Sequence, residues 1–535
     1  MSGRPSRHHY VVVLLVLIVA GASVFASDLR TGSPTRDQEI IGGPYAQLLG
    51  ASTDLGPAKA DEIQLTAALR GTARPDDLMV WANGVGLSVR WRAGDDWAIV
   101  EGAPDDVGKA FGVEVHDYRG QLGQVFYASP QQPAVPPNLR TVVTGLGRIL
   151  SYTPHHSSRP SILPLDVPDQ GLAPTGLRNA YNSSPLTAGG FTGKGTTIVV
   201  FAFDGFDQPD LDMFAETFNV PKWTPEVVGG IATERSGEAT MDLEVAHALA
   251  PDAKMVYVNA RSTVSGGGPY EKIAQMMESI DQKYPGAVWS FSIGWGCDKL
   301  VTAADLAPVR SALANAHQNG TTAFNASGDL AGLECKGGQD WSSPPSDDDI
   351  GLDSVASLPE MTDVGGTTLS TNAQGNWLAE QAWFDVPLSQ GTGGGVSNLF
   401  DRPDWQQAVM PDGPNKRLTP DIAAVADAFT GVKIVFKQQI LVGGGTSQAA
   451  PIWAGLAAVM NQYMLANGGQ LLGDINPLLY GIASIGTQLP SFRDVVLGGN
   501  AVDNAGPGYD LVTGLGTPDV DKLVRNLLIA QKVAQ

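Results

Sequence analysis

The sequence predicts an α/β protein, a parallel sheet with helices on both faces, preceded by a smaller α+β unit. Two patterns carry that reading. Beyond residue 171, strand-like and helical runs alternate: Thr197–Phe203, KMVYVNA, a helix over 270–283, GAVWSFSIG, a helix over 303–318, then TTAFNASGD. Such a rhythm lays parallel strands side by side under crossover helices. Before residue 152, the strand-like strings VEVHDY and VFYAS are mixed with helical periodicity, which reads as α+β. The chain has 535 residues, 43% hydrophobic and 17% charged, enough to bury more than one core. With 64 Gly and 36 Pro it is loop-rich rather than disordered. A net charge of −21 argues against nucleic acid as a partner. A lightly charged acidic surface also suits a protein that stays folded in acid.

The elements follow in order. Residues 1–26 read as a secretory signal: Arg4 and Arg7 precede the apolar run Tyr10–Ala22, and Val24-Phe25-Ala26 offers a cleavage point before Ser27. The run is about a dozen residues, short of the roughly 20 that span a bilayer. The mature chain is therefore expected outside the cell, off the membrane and monomeric. Residues 44–152 form the α+β unit. Residues 153–170, TPHHSSRPSILPLDVPDQ, have the Pro, Ser and His content of an exposed linker and processing region. Residues 171–535 form one domain, whose first buried strand is Thr197–Phe203. Its two cysteines, Cys297 and Cys335, read as one disulfide, from their number and the oxidising compartment.

The most informative stretch is Gly445-Thr-Ser-Gln-Ala-Ala-Pro451. It places Ser447 after a glycine run and before a helix expected over Ile452–Leu465. A hydroxyl beside a helix N-terminus sits where developing negative charge is favoured, as a nucleophile in acyl transfer requires. The same string also suits an ordinary helix start. A nucleophile needs a base. Of seven histidines, His8 and His9 precede the apolar run, His116, His155 and His156 lie far upstream, and only His247 and His317 remain. No HGTH-like string is present. A carboxylate pair is: Glu238 and Asp242 open a helical string, GEATMDLEVAHALAP. Four residues are about 400° of helix, so the two acids share a face. Acids that close share a proton and titrate apart. The plainer reading is a solvated acidic first turn.

GEATMDLEVAHALAPDAKMVYV and GGGTSQAAPIWAGLAAVMNQ together resemble the sedolisin family, the serine-carboxyl peptidases. The resemblance implies a subtilisin-like catalytic domain with Ser447 as nucleophile, Glu238 as general base and Asp242 as the carboxylate that orients it. It implies a fourth residue, Asp329 in NASGD, as oxyanion stabiliser; Asn325 is the rival in a histidine-using enzyme. It makes residues 44–152 an activation propeptide, notably AFGVEVHDY and VPPNLRTVVTGL, that inhibits its own enzyme until acid cleavage. It implies one calcium ion near the C-terminus, held by the side chains of Asp494 and Asp510 and the backbone oxygens of Val495, Gly506 and Gly508. Oxygen-only donors in a Gly-rich loop suit that cation. Two departures bear on tuning. The family often carries an acid on the strand near Val200–Phe203, where this chain has Asp204 just beyond. It also carries a tryptophan where this chain has Ile293, with Trp295 two residues on.

Three functions follow for test: a secreted, acid-active endopeptidase on protein and peptide substrates, made as a zymogen; a subtilisin-like peptidase using Asp204, His247 or His317, and Ser447; and a non-catalytic peptidase-like binding protein. A glutamate base still works at a pH of roughly 3–4, where a histidine near 6.5 is protonated. The first reading therefore carries an acid optimum.

Overall fold

Eight strands form the central sheet, in the order Glu226–Val228, Lys254–Asn259, Thr197–Ala202, Val288–Phe291, Thr322–Ala326, Thr362–Thr371 and Trp377–Ala382, with Ile422–Val425 also paired to Thr362–Thr371. All run parallel except Trp377–Ala382. The structure is a computed structural model and describes residues 39–157, 163–164, 171–264, 268–336, 345–386, 389–485 and 490–534. The expected signal at 1–26 and most of the expected linker lie outside them.

Alternation sets the two faces. Ile198, Val200 and Ala202 point into one core, and Val199 and Phe201 into the other. Both faces being covered explains why the strand is apolar from Ile198 to Ala202. The helices Glu238–Leu249 and Thr446–Ala466 fill the first core. Pro269–Lys283 and Ala307–Gln318 cover the second. The expected α/β arrangement is therefore the one observed. The Ala307 helix begins four residues later than its periodicity suggested, with Pro308 in its first turn, where no N–H is needed.

The helix Glu238–Leu249 is buried along all twelve residues. Asp204, at the end of the neighbouring strand, starts it. Its Oδ2 accepts Ser236 N, Ser236 Oγ and Gly237 N at 3.1, 2.6 and 3.1 Å, and its Oδ1 accepts Ala239 N at 3.0 Å. Ala239 N is one of the amides that a helix start leaves without a partner, and the other three bonds fix the turn leading into it. Pro251 ends it.

The helix Thr446–Ala466 begins six residues before the expected Ile452. Proline suggested a start beyond Pro451, because its missing N–H breaks the i to i−4 ladder. Here the helix runs through Pro451, and the carbonyl it leaves free, on Ser447, takes Ser292 Oγ at 2.9 Å. Packing holds the helix: Ile452, Trp453, Leu456, Val459 and Met460 are fully buried, each aliphatic one worth about 1.5–3 kcal/mol.

Ahead of this domain, Ser88–Arg90, Trp97–Gly102, Ile63–Leu69 and Val143–Leu146 form an antiparallel sheet under the helices Asp76–Gly84 and Pro104–Phe111. Ile63, Leu65, Val100, Val107 and Phe111 give it its own core. A second sheet joins Thr53–Pro57, His116–Arg119 and Val125–Ala128. Ion pairs tie this unit to the larger domain: Arg90 to Glu271 at 2.8 Å and Arg92 to Glu278 at 2.5 Å. Arg148 also donates its N–H to Asp305 at 3.1 Å.

Candidate active site

Glu238, Asp242 and Ser447 lie together where the Glu238 helix packs on the N-terminal turn of the Ser447 helix, and all three are 0% exposed. Ser292, on the connection after the strand Val288–Phe291, joins them. Its Oγ lies 2.9 Å from Asp242 Oδ1 and 2.9 Å from Ser447 O. A hydroxyl has one hydrogen and a backbone carbonyl only accepts. Both bonds form at once when Asp242 is protonated and donates to Ser292. The electrostatics agree: burial pushes the Asp242 carboxyl well above its ordinary value, outweighing the Ser292 bond. Burial likewise raises Glu238, reinforced by the charges of Asp242, Asp204 and Asp329, while Ser447 acts to lower it. The Ser447 hydroxyl and both Glu238 oxygens fall outside strict hydrogen-bond geometry. Contacts of this kind are often long before substrate binds.

Asp329 faces the same turn. Its Oδ1 accepts Thr446 N at 2.7 Å and Thr446 Oγ1 at 2.8 Å. Gly445, with φ of 90°, brings the backbone so close that a Cβ there would stand 2.8 Å from Asp329 Oδ2. Burial raises the Asp329 carboxyl despite the two Thr446 bonds. The rival, Asn325, turns its Nδ2 to Ala326 O at 2.7 Å.

Neither candidate histidine meets Ser447. His247 is nine residues along the Glu238 helix, half a turn out of phase with Glu238. Its ring stacks on Trp223 at 3.7 Å, Nε2 faces Pro221 O at 2.7 Å, and burial lowers it to about 4. His317 places Nδ1 2.7 Å from Thr321 O and Nε2 2.7 Å from Glu360 O. Asp204 is used as the helix cap. The histidine-using arrangement is therefore absent among the described residues. The acid missing from the strand is made good by Asp204 itself, whose charge raises both Glu238 and Asp242. Trp295 is buried in the opposite core against Phe203 and Phe291.

The sequence reading missed Ser292 and Asp204's capping role. The visible signal was polarity inside SFSIG, an otherwise apolar strand end.

At the C-terminus, Asp494 and Asp510 converge on one loop. Asp494 Oδ2 accepts Gly508 N at 2.9 Å and Asp510 Oδ2 accepts Gly506 N at 3.0 Å. Among the described residues, no hydrogen bond is made to the carbonyl oxygens of Val495, Gly506 or Gly508. Asp510 Oδ1 also accepts Val512 N at 2.9 Å and Thr513 N at 2.8 Å, so it shapes the loop as well as adding to an oxygen-only donor set of the kind calcium takes. Among the described residues, Cys297, Asp298 and Cys335 also lie close together, but the cysteines are at disulfide distance with Cα atoms 4.8 Å apart, which leaves no metal site there.

Two short strands from the expected linker pair with segments next to Ser292 and the Gly443–Gly445 run. His156–Ser157 pairs antiparallel with Ile293–Gly294, next to Ser292. Leu163–Pro164 pairs antiparallel with the strand Gln439–Val442, which leads into the Gly443–Gly445 run.

No protein-family model matches the chain. It is 31% identical over 517 residues to kumamolisin from Bacillus sp. (strain MN-32), covering 89% of this chain and 87% of that protein. It is 26% identical over 450 residues to tripeptidyl-peptidase 1 from Homo sapiens, covering 78% and 76%. Among solved structures, it is similar to a Pseudomonas sedolisin, a serine-carboxyl proteinase complexed with two molecules of pseudo-iodotyrostatin. The TM-score is 0.56 at 26% identity, over 66% of this chain and 97% of that one.

Proposed function

Because this chain belongs to the sedolisin family of serine-carboxyl peptidases, which hydrolyse peptide bonds, we propose that it is an exported, acid-active endopeptidase made as a zymogen, with Ser447, Glu238, Asp242 and Asp329 as its machinery. One observation carries this reading: a serine hydroxyl and two buried carboxyls share one site, with each candidate imidazole engaged elsewhere.

Ser447 Oγ attacks the peptide carbonyl carbon while Glu238 takes its proton. Asp242 stays protonated, donating to Ser292, so that Glu238 is the member of the pair that takes up and gives back a proton. Asp329 stays protonated and donates to the oxyanion that forms. Glu238 returns its proton to the leaving amine as the C–N bond breaks. Water then attacks the acyl ester, giving its proton to Glu238 and, through it, to Ser447.

The carboxyl cluster titrates as a unit. Activity needs one proton lost from the Glu238–Asp242 pair and one kept on Asp329, and burial raises all three carboxyls, so both limbs of the profile shift upward from the ordinary carboxylate range. A bell in the acid range is the expected profile, and a peak above about pH 7 contradicts it. The decisive variant is Glu238→Gln. Loss of a general base costs about 10²–10⁴-fold in kcat, whereas unchanged activity returns the role to another residue.

The zymogen reading rests on the two linker strands that pair next to Ser292 and the Gly443–Gly445 run and on the complete burial of the Ser447 side chain. The donor set of Asp494, Asp510 and the carbonyls of Val495, Gly506 and Gly508 would hold one calcium ion. The ion would fasten the C-terminal loop and take no part in the chemistry. The pairing of Cys297 with Cys335 fits an oxidising compartment.

A further inference from the structure

Glu334 is a buried acid that the reaction above does not use. It is 6% exposed and lies five residues beyond Asp329. Its Oε1 accepts Leu330 N at 2.9 Å, the amide immediately after Asp329, while Oε2 is buried without a partner. The carboxyl packs flat on Gly328, the residue before Asp329. Gly328 has φ of 114°, and a Cβ there would overlap the Glu334 carboxyl. Glu334 therefore grips the backbone on both sides of Asp329.

The other side of that turn is held separately. Gly391 N donates to Asp329 O at 3.0 Å, Gly393 N to Gly328 O at 2.8 Å, and Gly328 N to Thr446 Oγ1 at 3.1 Å. Removing Glu334 would leave the turn held from one side only. Glu334 is itself fixed, because the next residue, Cys335, lies at disulfide distance from Cys297. Burial first, then the charges of Asp329 and Asp353, raise Glu334 to about 8. It thus places no negative charge beside Asp329 in acid.

We infer that Glu334 is a positioning residue for Asp329: it sets the 328–330 turn so that the Asp329 carboxyl faces the oxyanion, with the Cys297–Cys335 pair as its anchor. This rests on the peptidase reading above. Misplacing a donor by about 1 Å is enough to cost some 10²-fold.

The test uses full-length chain activated in acid, with wild type and Ser447→Ala as references, and peptide hydrolysis resolved into kcat and KM. An active wild type and an inactive Ser447→Ala secure the peptidase reading whatever Glu334 does. Glu334→Ala is expected to lower kcat at least tenfold with KM within twofold. Glu334→Asp, too short to reach Leu330 N, is expected to behave the same way. Glu334→Gln keeps a neutral acceptor and is expected to hold kcat within threefold, with an unshifted pH profile. Should Glu334→Ala fail to fold, the Gln and Asp variants decide alone. Wild-type kcat in Glu334→Asp, a raised KM with unchanged kcat, or a Gln variant as slow as the Asp variant each overturns the assignment.

Discussion

At the scale of single residues, the proposed site gathers around Ser447 carboxyls whose affinities for protons are raised by burial. Desolvation is the largest influence on Glu238, Asp242 and Asp329, and their hydrogen bonds only partly oppose it. A carboxyl kept neutral can donate, which an ionised one cannot. Asp329→Ala is therefore expected to lower kcat by about 10²–10³ with little change in KM, as for other lost oxyanion donors. Steady-state kinetics at the acid optimum checks this, and a loss confined to KM would place Asp329 in substrate binding. Glu238 and Asp242 were legible as a pair from their i, i+4 spacing and Ser447 from the glycine run before it, while the family resemblance brought the three together. Ser292 was not legible. It meets Asp242 from 50 residues away and Ser447 from 155, separations that no local pattern encodes.

At the scale of elements, four strands of the central sheet were legible and the starts of two helices were not. The apolar runs at Thr197–Ala202 and Val288–Phe291 mark strands covered on both sides. The start of the Ser447 helix was misplaced because Pro451 normally ends such a pattern, and a distant partner, Ser292, takes the carbonyl that the proline leaves free. The C-terminal loop makes its own prediction. An ion that binds only the folded state at 100 times its Kd adds about 2.7 kcal/mol, or several degrees at about 2–4 °C per kcal/mol. Chelation is therefore expected to lower Tm by several degrees in Ser447→Ala chain, where self-digestion cannot interfere. Asp510→Asn is expected to lower it equally and to make it insensitive to chelator. A melting curve unmoved by chelator would leave Asp494 and Asp510 as ordinary loop acids.

For the whole molecule, the same burial governs stability against pH. Glu238, Asp242, Glu244 and Asp363 are all raised well above their ordinary values by desolvation. Asp353 is raised to about 7 and Glu334 to about 8. Between about pH 4 and 8 the folded chain thus holds more protons than the unfolded one, and stability falls as pH rises through that window. Asp353 alone, moved from 3.8 to about 7, corresponds to roughly 4 kcal/mol at 1.36 kcal/mol per unit. The Tm of Ser447→Ala chain is expected to fall steadily from pH 4 to pH 8. A flat or rising curve would mean that these acids are ionised and paired in the native state.

The short pairing of Leu163–Pro164 with Gln439–Val442 has a consequence under the zymogen proposal. Were processing to remove that segment, Gln439–Val442 would become an outer strand of its hairpin, with amides and carbonyls open to solvent beside the apolar Leu441. A bare margin of this sort seeks company. The ripened molecule would carry an adhesive seam beside its catalytic turn, ready to zip onto an incoming extended chain and, when none arrives, onto its own kind.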